Sequence, residues 1–198
     1  MSAATLAVLM EAPSSLEEEF NDWYDTEHFP QRIALPGFLK GRRWVCLHSW
    51  PRYLAVYDLV DSSALRTCEY LSVSGQHSTP WSRRVLPRTV GRQRLVLESL
   101  NDVEESAISE SLLFASWSAT EGKDIEPLMV AINEVTQRLP GLCSARFFRG
   151  ATDESNPSRS LYLIATFDHH VDINSLQPLR RPSAIGSTLF NMYIPYNR

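Results

Sequence analysis

The stretch Leu35-Pro36-Gly37-Phe38 recurs 104 residues later as Leu139-Pro140-Gly141-Leu142. Each copy follows an apolar strand and a helix-like stretch, and each precedes two strands that are rich in aromatic residues. A Pro-Gly pair is a turn signal, so each copy marks the passage from a helix to a strand. The chain is therefore predicted to contain two copies of one unit, residues 1–98 and 111–198, joined by a polar linker over 99–110.

The order of elements within each copy indicates the fold class. Strand, helix, strand, strand, helix, strand gives an antiparallel sheet with both helices on one face, which is the ferredoxin-like arrangement. The other face of each sheet needs a cover, and the second copy can supply it. We therefore predict an α+β fold in which two tandem ferredoxin-like halves pack sheet to sheet as an intramolecular barrel. A mainly apolar pocket is expected between the sheets.

Composition excludes several classes of protein. The 198 residues are 43% hydrophobic and 21% charged, which is ordinary for a globular chain. The net charge of −4 argues against nucleic acid as a partner. The longest apolar run near the start, Leu6 to Met10, is too short for a secretory signal or a membrane span. We expect a cytoplasmic protein with no membrane partner, and a homodimer is compatible with the sequence.

The first copy carries a motif with the residue types of a reactive site. It reads Trp23-Tyr24-Asp25-Thr26-Glu27-His28-Phe29-Pro30-Gln31-Arg32, and Arg42-Arg43-Trp44 and Thr79-Pro80-Trp81-Ser82 follow later. This pattern resembles the EthD-like group of dimeric α+β-barrel proteins, well in the first half and only in strand order and turn in the second. Related barrels include cofactor-free monooxygenases, dehydratases, cyclases, isomerases and haem-dependent aldoxime dehydratases. The resemblance thus implies the fold but no single reaction.

Comparison of the two copies singles out the candidate catalytic residues. Glu27 and His28 fall opposite Ala131 and Ile132, so the first copy places ionisable groups where the second has aliphatic ones. A buried polar group needs a partner, a ligand or water. His28 is the candidate for general acid or base because imidazole titrates near neutral pH. Tyr24, four residues earlier on the same helix face, is a candidate hydrogen-bond donor to a substrate oxygen. The alternative is that Glu27 and His28 merely cap the helix end, half exposed.

Further candidates lie in the loop and strands that follow. His77 is a second catalytic candidate because it lies in a loop, where binding groups are common. Arg42 and Arg43 alternate across a strand, so one of them points inward and needs a carboxylate or an anionic ligand. The predicted substrate-binding residues are Trp23, Glu27, Arg43, Trp44 and Trp81.

Charged residues are segregated along the chain. The segment 83–94 carries five arginines and no acid, whereas 11–27 carries seven acids and no base. We expect these two segments to pair on the surface, in preference to forming an anion site.

No cofactor or metal site is predicted. Nucleotide-binding glycine motifs are absent, and the adjacent His169 and His170 diverge on a strand end. The leading hypothesis is a cofactor-independent lyase, dehydratase, isomerase or cyclase that uses histidine to move a proton on a small hydrophobic or aromatic carbonyl compound. One alternative is a haem- or oxygen-dependent barrel enzyme, a monooxygenase or dehydratase, with His28, His77 or His170 as the iron ligand. The other is a non-catalytic ligand-binding or stress-response protein.

Overall fold

The computed structural model describes residues 3–103, 109–118, 125–150, 160–180 and 187–197. The strands are β1 (Ala4–Glu11), β2 (Phe38–Val45), β3 (Tyr53–Leu59), β4 (Val90–Ser99), β5 (Ser111–Ser118), β6 (Leu142–Gly150), β7 (Ser160–Phe167) and β8 (Ser187–Pro195). They form a closed antiparallel barrel in the order β1-β3-β2-β8-β5-β7-β6-β4. The predicted α+β barrel of two ferredoxin-like halves is confirmed. Part of the predicted linker, residues 104–108, lies outside the described residues.

The two halves are joined through the edges of their sheets. β2 of the first half pairs with β8 of the second, where Val45 lies opposite Ile194. β4 pairs with β6, where Leu97 lies opposite Gly150. Each half would otherwise leave these edge strands with unpaired backbone groups, so closure of the barrel depends on both halves.

The helices cover the outside of the barrel. In the described residues they are α1 (Glu17–Trp23), α2 (Phe29–Ile33), α3 (Cys68–Leu71), α4 (Pro80–Val85), α5 (Ile125–Thr136) and α6 (Gln177–Arg180). None of these helices is both long enough and apolar enough to cross a membrane. α4 follows the loop that contains His77. Its start is built by Thr79, whose Oγ1 accepts a hydrogen bond from the Ser82 N–H, and by Pro80 in the first turn.

A π-helical segment, Tyr24–His28, connects α1 to α2. In it the Phe29 N–H donates to the Tyr24 carbonyl, five residues back. Proline in a helix interior breaks or bends the helix, yet the chain stays helical to Ile33 because Pro30 occupies the first turn of α2, where its missing N–H is tolerated. π segments are rare and occur frequently at functional sites.

The interior of the barrel is filled with large side chains from both halves. The buried cluster there consists of Ala7, Leu9, Trp44, Cys46, Leu54, Val56, Leu97, Leu112, Phe114, Phe148, Ile164 and Tyr193. A cavity of about 460 Å³, lined by residues of both halves, reaches Cys46 and Tyr193 of this cluster. Aromatic residues of both halves occupy the barrel interior, and the cavity of interest lies on the outer face of the first sheet, beneath its helices.

Candidate active site

A cavity of about 670 Å³ opens between the outer face of β1 and the helices of the first half. Its apolar wall is formed by alternate residues of β1, namely Leu6, Val8 and Met10, together with Leu86 and Pro87. Its polar lining includes His28, Arg32, Tyr57, Tyr70, Ser74, Ser78 and Ser82. Small-molecule sites typically have this size and this mixture of an apolar wall with a few polar groups.

His28, the last residue of the π segment, faces this cavity. Its ring packs on Trp23 with the centroids 4.4 Å apart and meets Tyr24 edge-on at 5.1 Å. Its Nδ1 is buried and has no hydrogen-bond partner among the described residues. Nε2 has no hydrogen bond to a described residue either and is not among the buried atoms, so it is the ring nitrogen open to a molecule in the cavity.

The surroundings of His28 keep its imidazole neutral. Burial, with the positive charges of Arg32 and Arg43, lowers the pKa of His28 to about 3. At neutral pH the ring is therefore uncharged, and it is a weaker base than an ordinary imidazole until its surroundings raise its pKa. A negative charge on a bound molecule would oppose the effect of the two arginines and strengthen this base.

Arg32, one turn after His28, is a buried cation on the same cavity wall. Only 7% of the residue is exposed. Its Nη2 donates to the Val73 carbonyl at 3.0 Å, while Nη1 is buried and has no partner in the described part of the chain. The guanidinium carbon lies 5.2 Å from the centre of the Tyr70 ring. Arg32 forms no ion pair with any described acid.

Glu27 and Trp23 tie the π segment to α4. The Glu27 carboxylate accepts hydrogen bonds from Thr79 Oγ1 at 2.5 Å and from Ser82 Oγ at 3.4 Å. Trp23 is fully buried, and its Nε1 donates to Ser82 Oγ at 3.1 Å. These hydrogen bonds hold His28 at the edge of the cavity. They also occupy the Glu27 carboxylate with hydroxyl groups of the protein.

Tyr24 and Arg43 pack behind the residues that line the cavity. Arg43 forms an ion pair with Asp25 and donates a hydrogen bond to Asn21 Oδ1 at 2.8 Å. The carboxylate that the buried arginine needs is therefore supplied by the protein itself. The Arg43 guanidinium lies 4.3 Å from the Tyr24 ring centre. The buried Tyr24 hydroxyl accepts from the Tyr57 hydroxyl at 3.4 Å, and Tyr57 lines the cavity. Burial raises the pKa of both tyrosines, which keeps them neutral.

The structure places the remaining sequence candidates outside the cavity lining. His77 is exposed beside Gln76. Trp44 lies in the barrel interior, fully buried. Trp81 is half-buried on α4 and donates to Glu19 at 3.1 Å. Of the predicted site residues, the structure thus brings His28 to the cavity, with Trp23, Tyr24, Glu27 and Arg43 packed around it.

The expected pairing of the basic and acidic segments is seen between Arg84 and Glu19. Arg83, Arg92 and Arg94 line the cavity instead. Sequence reasoning missed this, and it also missed Arg32, Tyr57, Tyr70 and Ser74. The one sequence signal for the cavity arginines was the absence of any acid in 83–94, because it leaves the arginines of that segment without a carboxylate nearby in the sequence.

The chain is similar to known structures in fold but not in sequence. No family model and no curated protein matches it. An anthrone oxidase-like protein matches with a TM-score of 0.68 and 10% identity, over 100% of this chain and 94% of that one. A haem-binding protein from Thermus thermophilus has a TM-score of 0.59 and 11% identity, over 99% and 92%. A ferredoxin-fold protein from Listeria monocytogenes, related to antibiotic biosynthesis monooxygenases, has a TM-score of 0.51 and 9% identity, over 100% and 97%. The chain thus has the ferredoxin-like α+β-barrel fold, and identities this low show the fold alone.

Proposed function

We propose that the protein is a cofactor-independent enzyme of the lyase, dehydratase, isomerase or cyclase type, acting on a small hydrophobic or aromatic carbonyl compound. One observation carries the proposal: the neutral imidazole of His28 lines an apolar cavity of small-molecule size. The resemblance of the Trp23–Arg32 motif to the EthD-like group supports the same class. Solved neighbours described as oxidase-like and monooxygenase-related are consistent with an enzyme.

In this proposal His28 moves the proton. The body of the substrate lies against Leu6, Val8 and Met10, and a C–H bond next to its carbonyl faces Nε2 of His28. The neutral ring takes the proton, and the electron pair of the C–H bond delocalises onto the carbonyl oxygen as an enolate. As that negative charge develops, it offsets the charges that depress the pKa of His28, so the base strengthens as the proton transfers.

The haem alternative finds less support in the cavity. A histidine that ligates a metal almost always donates its other ring N–H to a carboxylate, a carbonyl or water. Nδ1 of His28 has no such partner in the described residues, and Glu27, the adjacent acid, is engaged with Thr79. His77 does not line this cavity, and His170 lines a second cavity of about 460 Å³ instead. The residues of the first cavity therefore fit a haem poorly.

Hydrogen–deuterium exchange tests the proposed chemistry without knowledge of the full reaction. 1-Tetralone and 1-indanone, both aryl ketones with C–H bonds next to the carbonyl, are incubated with enzyme in D₂O and followed by NMR. Wild-type protein should accelerate exchange, and His28→Ala and His28→Gln should each reduce the enzymatic rate about 10²–10⁴-fold. His77→Gln, an exposed matched control, should retain it.

Three outcomes would count against the proposal. Near-normal exchange by His28→Gln would make His28 a packing residue. Tight binding of both ketones with no exchange above buffer would favour the non-catalytic ligand-binding protein. A Soret band that appears on addition of haem and is lost in His28→Gln would favour the haem enzyme.

A further inference from the structure

We infer that Arg32 Nη1 and Ser74 Oγ bind an oxyanion of the ligand, of the enolate or phenolate type. This inference rests on the proposed function and deepens it, because it names the charge that the ligand carries beside His28. It adds to the site two residues whose burial and lack of partners the sequence did not reveal.

The two atoms share an unusual condition. Arg32 and Ser74 both line the cavity, and the atoms Arg32 Nη1 and Ser74 Oγ are buried with no hydrogen-bond partner among the described residues. The bond from Arg32 Nη2 to the carbonyl of Val73, the residue before Ser74, fixes the guanidinium against this segment. A buried polar atom without a partner costs about 1–3 kcal/mol. Two of them on one wall indicate a position that a ligand oxygen fills.

The charges around this position favour an anion. Arg94 donates a hydrogen bond to the Tyr70 hydroxyl at 3.2 Å. The guanidinium carbons of Arg94 and Arg32 lie 5.9 Å and 5.2 Å from the centre of the Tyr70 ring. Arg83 and Arg92 also line the cavity, and no acid does so among the described residues. A buried cation without a counter-charge is costly, and an oxyanion would supply that charge.

The number of donors indicates the kind of anion. The free guanidinium NH₂ group of Arg32 and the Ser74 hydroxyl can stabilise the charge on a single oxygen, which is the arrangement used to hold developing oxyanions. The mainly apolar wall of Leu6, Val8 and Met10 requires a hydrophobic body behind that oxygen.

A coloured probe tests the inference by a readout other than turnover. 4-Nitrophenol is titrated into the protein, and its absorbance reports whether the bound form is the neutral phenol or the phenolate. In the wild type, binding should raise the ionised fraction above that of the free probe at the same pH. Arg32→Gln should bind the phenolate at least tenfold more weakly and abolish the rise in ionised fraction. Ser74→Ala should do so in part.

Controls separate a local effect from loss of the fold. Arg84→Gln, which removes a surface cation that pairs with Glu19 outside the cavity, should bind like the wild type. Arg32→Lys keeps the charge at this position, so it should bind the phenolate better than Arg32→Gln does. Melting curves on each variant show whether it is folded.

The same titration with 4-nitrobenzoate separates the two sources of an oxyanion. Tighter binding of the benzoate with the same dependence on Arg32 would support the site and assign it to a substrate carboxylate. Binding of neutral nitrophenol, or equal phenolate binding by folded Arg32→Gln, would overturn the inference. His28→Gln should still bind phenolate, so a failure of proton transfer and a failure of oxyanion binding can be told apart.

Discussion

The depressed pKa of His28 predicts how the stability of the protein depends on pH. An unfolded histidine titrates near pH 6.5, whereas His28 in the folded chain has a pKa of about 3. Between these values the unfolded chain binds a proton that the folded chain does not, so stability is fully present above about pH 6.5 and falls as the pH falls toward 3. At about 1.4 kcal/mol per pH unit, His28 alone should remove about 2 kcal/mol from the free energy of unfolding between pH 7 and pH 5.

Urea denaturation of the wild type and of His28→Gln at pH 7 and pH 5 measures this contribution. Glutamine does not titrate, so the loss of stability between the two pH values should be about 2 kcal/mol smaller in the variant. His77→Gln removes an exposed imidazole that meets water in both states, and it should leave the wild-type loss intact. Equal losses in the wild type and His28→Gln would refute a half-buried His28 that stays neutral in the folded protein.

Two further predictions concern the fold. The fragment 1–103 should self-associate or aggregate, because β2 and β4 lose their pairing with β8 and β6. Size-exclusion chromatography with light scattering measures this, and a stable monomer would contradict the requirement for both halves. Asp58→Ala should cost about 3–5 kcal/mol of unfolding free energy in urea, because it removes the buried carboxylate that binds Arg146 at 2.8 Å. Lys40→Ala should cost less than about 1 kcal/mol of unfolding free energy, because Lys40 is a half-exposed partner of the same carboxylate. If Asp58→Ala and Lys40→Ala cost the same free energy, the ion pair of Asp58 with Arg146 is not the stabilising one.

The architecture was readable from the sequence because its signals are local. The Leu-Pro-Gly turns at 35–37 and 139–141 and the strand-rich stretches after them depend only on nearby residues. The location of the cavity was not readable, since β1 is apolar on both faces. Leu6 and Val8 face the helices and Ala7 and Leu9 face the barrel interior, so no alternation marks the face that forms the cavity.

Only part of the candidate site was predictable from the sequence, because the rest depends on contacts between residues distant in the chain. His28 stood out because the second copy has Ile132 at the matching position, and Ile132 is indeed fully buried core. The π geometry that ends at His28 depends on tertiary contacts such as those of Glu27 with Thr79, which no local pattern shows. Arg32 lies within the same motif, but an arginine is exposed in most proteins, and nothing in its neighbours indicated burial.

The most direct measurement of the central claim is the ionisation state and location of the His28 ring. Long-range ¹H–¹⁵N NMR spectra can resolve the five imidazoles of the chain, with His28→Gln providing the assignment. The account predicts that His28 is neutral at pH 6, half a unit below its ordinary pKa, and that its signals shift when 4-nitrophenol is added, while those of exposed His77 do not. A His28 that is protonated at pH 6, or that stays unchanged while the probe binds, would contradict a neutral proton-transfer residue in the ligand cavity.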